Sequence, residues 1–194
     1  MTQETLNIYA IGVGGFGIGS LTRVLSLAAQ NSGLDILGSE THGLAQRGGV
    51  VTSTLRIGPD IKGSPLIIKG EADIVAALEP LEALRSMPWL KRGGLVVYNT
   101  SRIQPLGVRL KTDEYPSLES IETELKKVTD RVIPVEASLM AKDLGLSQAV
   151  NMIIIGVIAR QGVLPFGMDR IEEAVKAATP ERFLEVNLKA LEVG

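Results

Sequence analysis

A glycine-rich segment near the start of the chain has the spacing of a phosphate-binding turn. Gly12, Gly14, Gly15 and Gly17 lie within Gly12-Val-Gly-Gly-Phe-Gly17, which fits the pattern G-x-G-x-x-G. Glycines at this spacing permit a tight turn and let backbone N–H groups approach a pyrophosphate at the positive end of a helix dipole. The alternative is that they only close a strand-to-helix turn and pack the helix on the sheet. The sequence predicts either a nucleotide or other phosphate site, or a packing turn.

An acidic residue about twenty positions further on would favour a dinucleotide, because it would hold the ribose hydroxyls at the end of the second strand. Asp35 lies early in the predicted second strand and Glu40 lies late, so neither fits that position well. The acidic residues therefore do not select NAD over other phosphate ligands.

A second candidate segment follows the predicted second strand, where open α/β sheets bind ligands. It contains His42, Arg47, Gly48 and Gly49. His42 is the only histidine, so it is at most a lone acid–base or contact residue. Arg47 precedes two glycines, which would let its guanidinium meet a carboxylate or phosphate with little obstruction. The alternatives are a loop histidine with satisfied hydrogen bonds and an arginine in a structural or inter-subunit ion pair.

Three other groups are weaker candidates. Glu79 and Glu82 lie on either side of Pro80 at the end of a predicted central strand and form either a carboxylate pair or, more simply, negative charge at a helix N-terminus. Asn99 ends another strand and is expected to cap the following turn. The final helix around Asn187 has an apolar face that either docks a partner or packs in the core.

The elements that must position these residues alternate between strand and helix. Strands are predicted at 6–11, 50–57, 73–78, 95–98 and 131–135, and a second strand is predicted from 34–37 to an end near Ser39 and Glu40. Residues 64–68 are expected to be short and extended. Gly33 and the Gly93-Gly94 pair are interpreted as helix ends. The first two strands are expected to pair in parallel. We therefore predict an α/β fold with a doubly wound, mostly parallel sheet, a Rossmann-like βαβ opening and a helical C-terminal third, all in one domain over residues 1–194.

Composition excludes several functions. The 194 residues include no cysteine, which excludes disulfides, thiolate-held zinc and cysteine-ligated iron–sulfur clusters. The formal charge of -2 provides no basic field for nucleic acid. The N-terminus lacks a positive n-region, and the longest later apolar run, 152–159, is too short for the roughly twenty residues of a membrane span. A cytoplasmic protein without nucleic-acid or membrane partners is expected.

Taken together, these residues resemble the gamma-type domain of the 2-oxoacid:ferredoxin oxidoreductases, in its indolepyruvate branch. The resemblance rests on the glycine turn and on the segments 39–49, 64–67, 70–73, 78–84 and 187–191. The form His-Gly-Leu-Ala-Gln-Arg-Gly-Gly at 42–49 favours the indolepyruvate branch. Phe16 departs from the family, which usually has glutamine there, so a polar contact from the turn is replaced by an apolar side chain.

The resemblance implies a subunit that is inactive alone and holds no cofactor or catalytic residue of its own. A larger partner subunit would carry thiamine diphosphate and iron–sulfur clusters, and the complex would pass electrons to ferredoxin and release an aryl-acyl-CoA. This chain would close the reaction chamber and bind CoA or substrate through the glycine turn and Arg47. The alternatives are a pyruvate or 2-oxoglutarate complex, an independent nucleotide-binding module and a purely structural adaptor.

Overall fold

A computed structural model describes residues 5–42, 49–104, 108, 110–112 and 114–194, and gives only the backbone of His42. The strands of this part are β1 Leu6–Val13, β2 Asp35–His42, β3 Val50–Gly58, β4 Ala72–Ala77, β5 Leu90–Asn99 and β6 Val132–Val135. They form one sheet in the order β2-β3-β1-β4-β5-β6. Only β3 runs antiparallel to its neighbours, so the predicted mostly parallel sheet is confirmed.

The expected parallel pairing of the first two strands is wrong, because β3 lies between them. β3 pairs antiparallel with β1 from Leu6↔Ile57 to Val13↔Val50, and with β2 from Asp35↔Gly58 to His42↔Val51. Antiparallel neighbours can be joined by a short connection, whereas parallel neighbours need a long crossover. The short segment between β2 and β3 therefore returns the chain antiparallel and separates β2 from β1.

Helices cover both faces of the sheet. In the described ranges they are α1 Ile18–Asn31, α2 Pro80–Arg85, α3 Leu118–Lys126, α4 Ala137–Asp143, α5 Val150–Arg160, α6 Met168–Ala178 and α7 Glu181–Val193. The buried residues of α1 and of α4 to α7 share one apolar cluster, while those of α2 and α3 lie in a second cluster on the other face. This two-sided arrangement is the predicted doubly wound architecture, and its last third is helical as expected.

The helix periodicity predicted from sequence matches the observed burial. α1 buries Leu21, Val24, Leu25 and Ala28, and Gly33 follows it with a φ of 73°. α5 is apolar nearly all round and packs between the sheet and α7. Within the residues described, no helix is long and apolar enough to cross a membrane.

One local prediction is wrong. Gly93 and Gly94 lie inside β5 rather than at a helix end. Gly93 has a φ of 73°, and the register between β4 and β5 shifts from Ala72↔Leu90 to Ile74↔Leu95. A positive φ and a register shift are features of a β-bulge, which glycine accommodates without a side-chain clash.

Candidate functional site

The two candidate segments meet at the carboxyl edge of the sheet. The backbone N–H of Gly14 donates a 2.8 Å hydrogen bond to the carbonyl oxygen of Gly49. The glycine turn lies between the end of β1 and the start of α1, as predicted. His42 is the last residue of β2 and pairs with Val51, but its side chain, Arg47 and Gly48 fall outside the described part of the chain.

Different structural constraints require glycine at the different positions of the turn. A Cβ on Gly12 would lie 3.1 Å from the Cβ of Leu78 and 3.3 Å from Ile18, so this glycine lets the strand and helix approach. A Cβ on Gly17 would lie 2.8 Å from the side-chain nitrogen of Asn151. Gly15 has a φ of 95°, which disfavours other residues although its surroundings are open. Packing therefore accounts for Gly12 and Gly17.

The N-terminus of α1 has no side-chain cap among the described residues and has the polarity that attracts an anion. Gly17 is its N-cap in the left-handed region, and no side chain of the described residues caps it. The first turn of α1 contains no acidic residue. Unpaired backbone N–H groups at a helix N-terminus carry partial positive charge and attract anions.

The late acidic residue of β2 reaches this helix. A Cβ on Gly19 would lie 3.2 Å from Oε2 of Glu40, so the missing side chain lets the carboxylate approach the first turn of α1. However, β3 separates β2 from β1, whereas a dinucleotide-binding fold places these two strands side by side. The dinucleotide arrangement is therefore not reproduced.

A cavity of about 300 Å³ lies next to the glycine turn, between α1, α5 and α7. We call it the α1–α5–α7 cavity. It is lined by Ser20, Arg23, Val24, Leu146, Gln148, Asn151, Met152, Ala178, Thr179, Pro180, Phe183 and Asn187. Its wall is mainly apolar, with one cation and several amide and hydroxyl groups. This composition suits a small ligand that has apolar parts, hydrogen-bonding groups and an anionic group.

Arg23 and Asn151 are the distinctive polar residues of this cavity. Arg23 is exposed, and within the described part of the chain its guanidinium forms no hydrogen bond or ion pair. Asn151 is buried; its Nδ2 donates to the carbonyl oxygen of Gly17 at 3.4 Å, and its Oδ1 accepts from the N–H of Met152 at 2.9 Å. Arg23 therefore provides a cation at the cavity, and Asn151 fixes its wall to the glycine turn.

A second cavity, of about 260 Å³, lies on the other side of Arg23, between α1, β2 and β3. Its lining includes Glu40 and the hydroxyl groups of Thr22, Ser26 and Ser53. Ser53 is buried and donates a 3.2 Å hydrogen bond to the carbonyl oxygen of Ser39. Arg23 therefore lines both the mainly apolar α1–α5–α7 cavity and this more polar one.

The first member of the candidate carboxylate pair, Glu79, is a structural residue. Its Oε2 accepts from the N–H of Glu82 at 3.0 Å, which makes it the N-cap of α2. Its Oε1 accepts from the N–H of Ile103 at 3.2 Å and from the hydroxyl of Tyr115. The preferred interpretation, negative charge at a helix N-terminus, is confirmed for both residues, because Glu79 is the N-cap of α2 and Glu82 lies in its first turn.

Glu82 has a different environment. One carboxylate oxygen pairs with Arg85 at 2.5 Å, and the other is buried without a hydrogen-bond partner among the described residues. Burial raises the pKa of Glu82, the nearby Glu79 raises this pKa further, and the Arg85 guanidinium opposes both effects. The Glu82 carboxyl faces the interior rather than either cavity at the glycine turn.

Asn99 connects three segments at the carboxyl edge. Its Nδ2 donates to the carbonyl oxygen of Leu78 at 3.2 Å and to the hydroxyl of Ser138 at 2.9 Å. Its Oδ1 accepts from the N–H of Ser138 at 3.1 Å. Asn99 therefore holds the ends of β4 and β5 against the start of α4, instead of only capping its own turn.

Arg23 makes the described part of the site suited to binding an anion. No group of three or more His, Cys, Asp or Glu residues able to hold a metal ion is found in the described ranges. Sequence reasoning missed Arg23 and Asn151. Asn151 had a detectable signal, because it is the one polar residue in the apolar run 149–159, whereas Arg23 is an ordinary exposed residue of an amphipathic helix.

Comparison with known proteins identifies the family. Residues 7–194 match the family "pyruvate ferredoxin/flavodoxin oxidoreductase". Indolepyruvate oxidoreductase subunit IorB of Archaeoglobus fulgidus is 43% identical over 97% of this chain and 93% of its own length.

Two solved structures share the fold. One is a keto/oxoacid ferredoxin oxidoreductase gamma subunit from Geobacter sulfurreducens, with a TM-score of 0.69 and 23% identity over 97% of this chain and 95% of that chain. The other is a 2-oxoglutarate:ferredoxin oxidoreductase from Magnetococcus marinus with 2-oxoglutarate, coenzyme A and succinyl-CoA bound, with a TM-score of 0.69 and 19% identity over 97% of this chain and 30% of that chain. The chain therefore belongs to the pyruvate ferredoxin/flavodoxin oxidoreductase family, as its motifs indicated.

Proposed function

We propose that this chain is the small subunit of an indolepyruvate:ferredoxin oxidoreductase. The complex would decarboxylate an aryl 2-oxoacid, pass two electrons to ferredoxin and transfer the aryl-acyl group to the thiol of CoA. The similarity to an indolepyruvate subunit over nearly the full length of both chains supports this substrate branch. The absence of cysteine supports the proposal that a partner subunit holds the iron–sulfur clusters, because this chain has no thiolate to ligate them.

The role proposed for this chain is to bind CoA at the carboxyl edge of the sheet. The α1–α5–α7 cavity carries the proposal, because Arg23 lines it together with Ser20 of the first turn of α1, a helix whose N-cap Gly17 has no side-chain cap among the described residues. The pyrophosphate of CoA would meet the first backbone N–H groups of α1. Arg23 would pair with another CoA phosphate, and the adenine would enter the apolar cavity between the amides of Asn151 and Asn187.

The second candidate segment would complete this site. Gly49, the last residue of this segment, is held against Gly14 of the glycine turn. Arg47 and Gly48 would add a second cation and an unobstructed backbone for an anionic group, and His42 would contact the ligand from the end of β2. Thiamine diphosphate in the partner subunit would supply the carbanion chemistry, and this chain would be inactive alone.

Co-expression with the candidate large subunit tests the subunit role. We expect reduction of ferredoxin that depends on indolepyruvate and CoA only when both chains are present. Pyruvate and 2-oxoglutarate are tested separately as alternative substrates. Faster turnover of either than of indolepyruvate would indicate that the complex belongs to the pyruvate or 2-oxoglutarate branch of the family. Full activity of the large subunit alone, or NAD binding by the isolated small chain without association, would overturn the subunit role and favour a free-standing nucleotide-binding module.

A matched pair of arginine variants tests the CoA role. Arg23→Gln should raise the KM for CoA about tenfold, equivalent to about 1.4 kcal/mol of lost binding, and leave the KM for indolepyruvate unchanged. The control is Arg131→Gln, at the opposite edge of the sheet, where Arg131 also forms no side-chain ion pair within the described ranges. Equal effects of the two variants, or a rise in the indolepyruvate KM alone, would contradict CoA binding at Arg23.

A further inference from the structure

The α1–α5–α7 cavity combines one cation with free hydrogen-bond donors. Among the described residues, Arg23 is the only charged residue of its lining. The side chains of Ser20, Gln148 and Thr179 also line it, and they form no hydrogen bond within the described ranges. A cation with several donors and no carboxylate in the same lining is an environment that binds phosphate oxygens. The cavity therefore suits a phosphate group next to Arg23.

The second cavity that Arg23 lines, between α1, β2 and β3, has a different hydrogen-bonding character. It contains the carboxylate of Glu40. Three of its five hydroxyl groups, those of Thr22, Ser53 and Thr54, already donate to backbone carbonyl oxygens. A carboxylate and oxygen lone pairs repel a phosphate. An anion that pairs with Arg23 is therefore favoured on the side of α5 and α7.

Arg23 and the N-terminus of α1 are separated along the helix. Arg23 is five residues after Ile18, the first residue of α1, which corresponds to about 7.5 Å along the axis at 1.5 Å per residue. The first N–H groups of α1 point along the axis beyond Gly17, whereas Arg23 lines cavities at the sides of the helix. The two positive regions therefore suit two separate phosphate groups of one ligand.

We propose that Arg23 binds the 3′-phosphate of CoA and makes this chain select CoA over 3′-dephospho-CoA. This inference rests on the proposed function, in which the pyrophosphate meets the start of α1 and the adenine enters the α1–α5–α7 cavity. The ribose joins these two groups and carries the 3′-phosphate, so this phosphate lies beside the adenine, at the cavity that Arg23 lines. Ser20 and Thr179 offer it free hydroxyl donors from the same lining.

The test measures binding of CoA and of 3′-dephospho-CoA to the complex with the large subunit, by titration calorimetry without a 2-oxoacid. We expect the wild type to bind CoA about tenfold more tightly than dephospho-CoA, as one charge-assisted contact provides. Arg23→Gln should raise the Kd for CoA about tenfold and that for dephospho-CoA less than about twofold, because the lost ion pair involves only the 3′-phosphate. Arg23→Lys should keep part of the preference, since it retains the charge without the planar fork of donors.

The control is Arg131→Gln, which removes the same charge at the opposite edge of the sheet and should change neither Kd. Arg23 is exposed, so thermal unfolding should give the same Tm for Arg23→Gln as for the wild type.

The outcomes separate this inference from the proposed function. Equal increases in both Kd values in Arg23→Gln would overturn the inference, because Arg23 would then meet the pyrophosphate that both ligands share, and the proposed CoA site would stand. Equal affinities of the wild type for the two ligands would overturn it in the same way. A preference for CoA that is unchanged in Arg23→Gln would place the 3′-phosphate away from Arg23 and also overturn it. Binding of neither ligand to the wild-type complex would refute the proposed CoA role itself.

Discussion

The side-chain amide of Asn151 donates a hydrogen bond to the carbonyl oxygen of Gly17, 134 positions earlier in the chain. This bond joins the start of α5 to the N-cap of α1, so the C-terminal helical layer fixes the glycine turn. The shape of the candidate site therefore depends on packing between the two ends of the chain.

Gly17→Ala should be more destabilising than Gly15→Ala. Both glycines have a φ above 90°, and an alanine there costs roughly 1–2 kcal/mol of backbone strain. Only Gly17 also has a neighbour, Asn151, within 2.8 Å of the added Cβ. Urea unfolding should show the larger loss for Gly17→Ala, with part of it recovered in Gly17→Ala/Asn151→Ala. Equal losses for the two glycines would show that the contact with Asn151 is unimportant.

Tyr115→Phe should loosen the connection between β5 and α3. The Tyr115 hydroxyl donates to Glu79 and accepts from the N–H of Leu81 at 3.2 Å, and burial together with Glu79 raises the pKa of Tyr115 well above its usual value. Loss of a hydrogen bond to a charged group costs about 1.5–3 kcal/mol. Hydrogen exchange of the Leu81 amide should accelerate.

The control for Tyr115→Phe is Tyr98→Phe. Tyr98 is buried, and its hydroxyl forms no hydrogen bond within the described part of the chain. Its loss should therefore change the free energy of unfolding much less. A similar destabilisation in both variants would show that Glu79 does not anchor the connection through Tyr115.

Glu82 should make stability fall as pH rises. Burial raises the pKa of Glu82 in the folded protein above its ordinary value of 4.5, so the folded state binds this proton more tightly than the unfolded state does. The protonated form therefore favours folding below pH 4.5, and this contribution is lost as the pH rises from 4.5 through the folded pKa.

The measurement is the free energy of unfolding of the wild type and Glu82→Gln across this range of pH. Glutamine has no charge to bury, so the variant should gain stability relative to the wild type as the pH rises. Glu124→Gln, at a surface ion pair with Lys127, is the control. A difference between wild type and Glu82→Gln that does not change with pH would mean that Glu82 titrates normally.

Gly156→Ala should strongly destabilise the contact between α5 and α7. A Cβ on Gly156 would overlap the carbonyl oxygen of Leu191 and would lie 2.9 Å from the carbonyl carbon of Gly194. Backbone atoms cannot move away as a flexible side chain can, so we expect a loss above about 3 kcal/mol. Gly162→Ala is the control, because it has a φ of 64° but no neighbour within 4 Å. Thermal unfolding should show a much smaller loss for the control.

Prediction from sequence succeeded where the residue pattern lies within a single helix, strand or turn. The stripe on α1, the turn after Gly33 and the buried strands β3 and β4 all follow from local periodicity and glycine chemistry. Prediction from sequence failed for the pairing of β1, because β3 rather than β2 lies beside it in the sheet. The β-branched run 50–57 identified a strand, but its position between β1 and β2 depends on long-range pairing that no local pattern encodes.

The candidate site shows the same division. The residue types alone determined that the chain has a strand–turn–helix with a phosphate-binding spacing, no thiolates and a single imidazole. The tertiary structure decided that Gly49 reaches Gly14, that Gly12 and Gly17 serve packing, and that Arg23 borders two cavities. The physical reason is range: turn and helix preferences act between neighbours in sequence, whereas a cavity exists only where distant segments pack together.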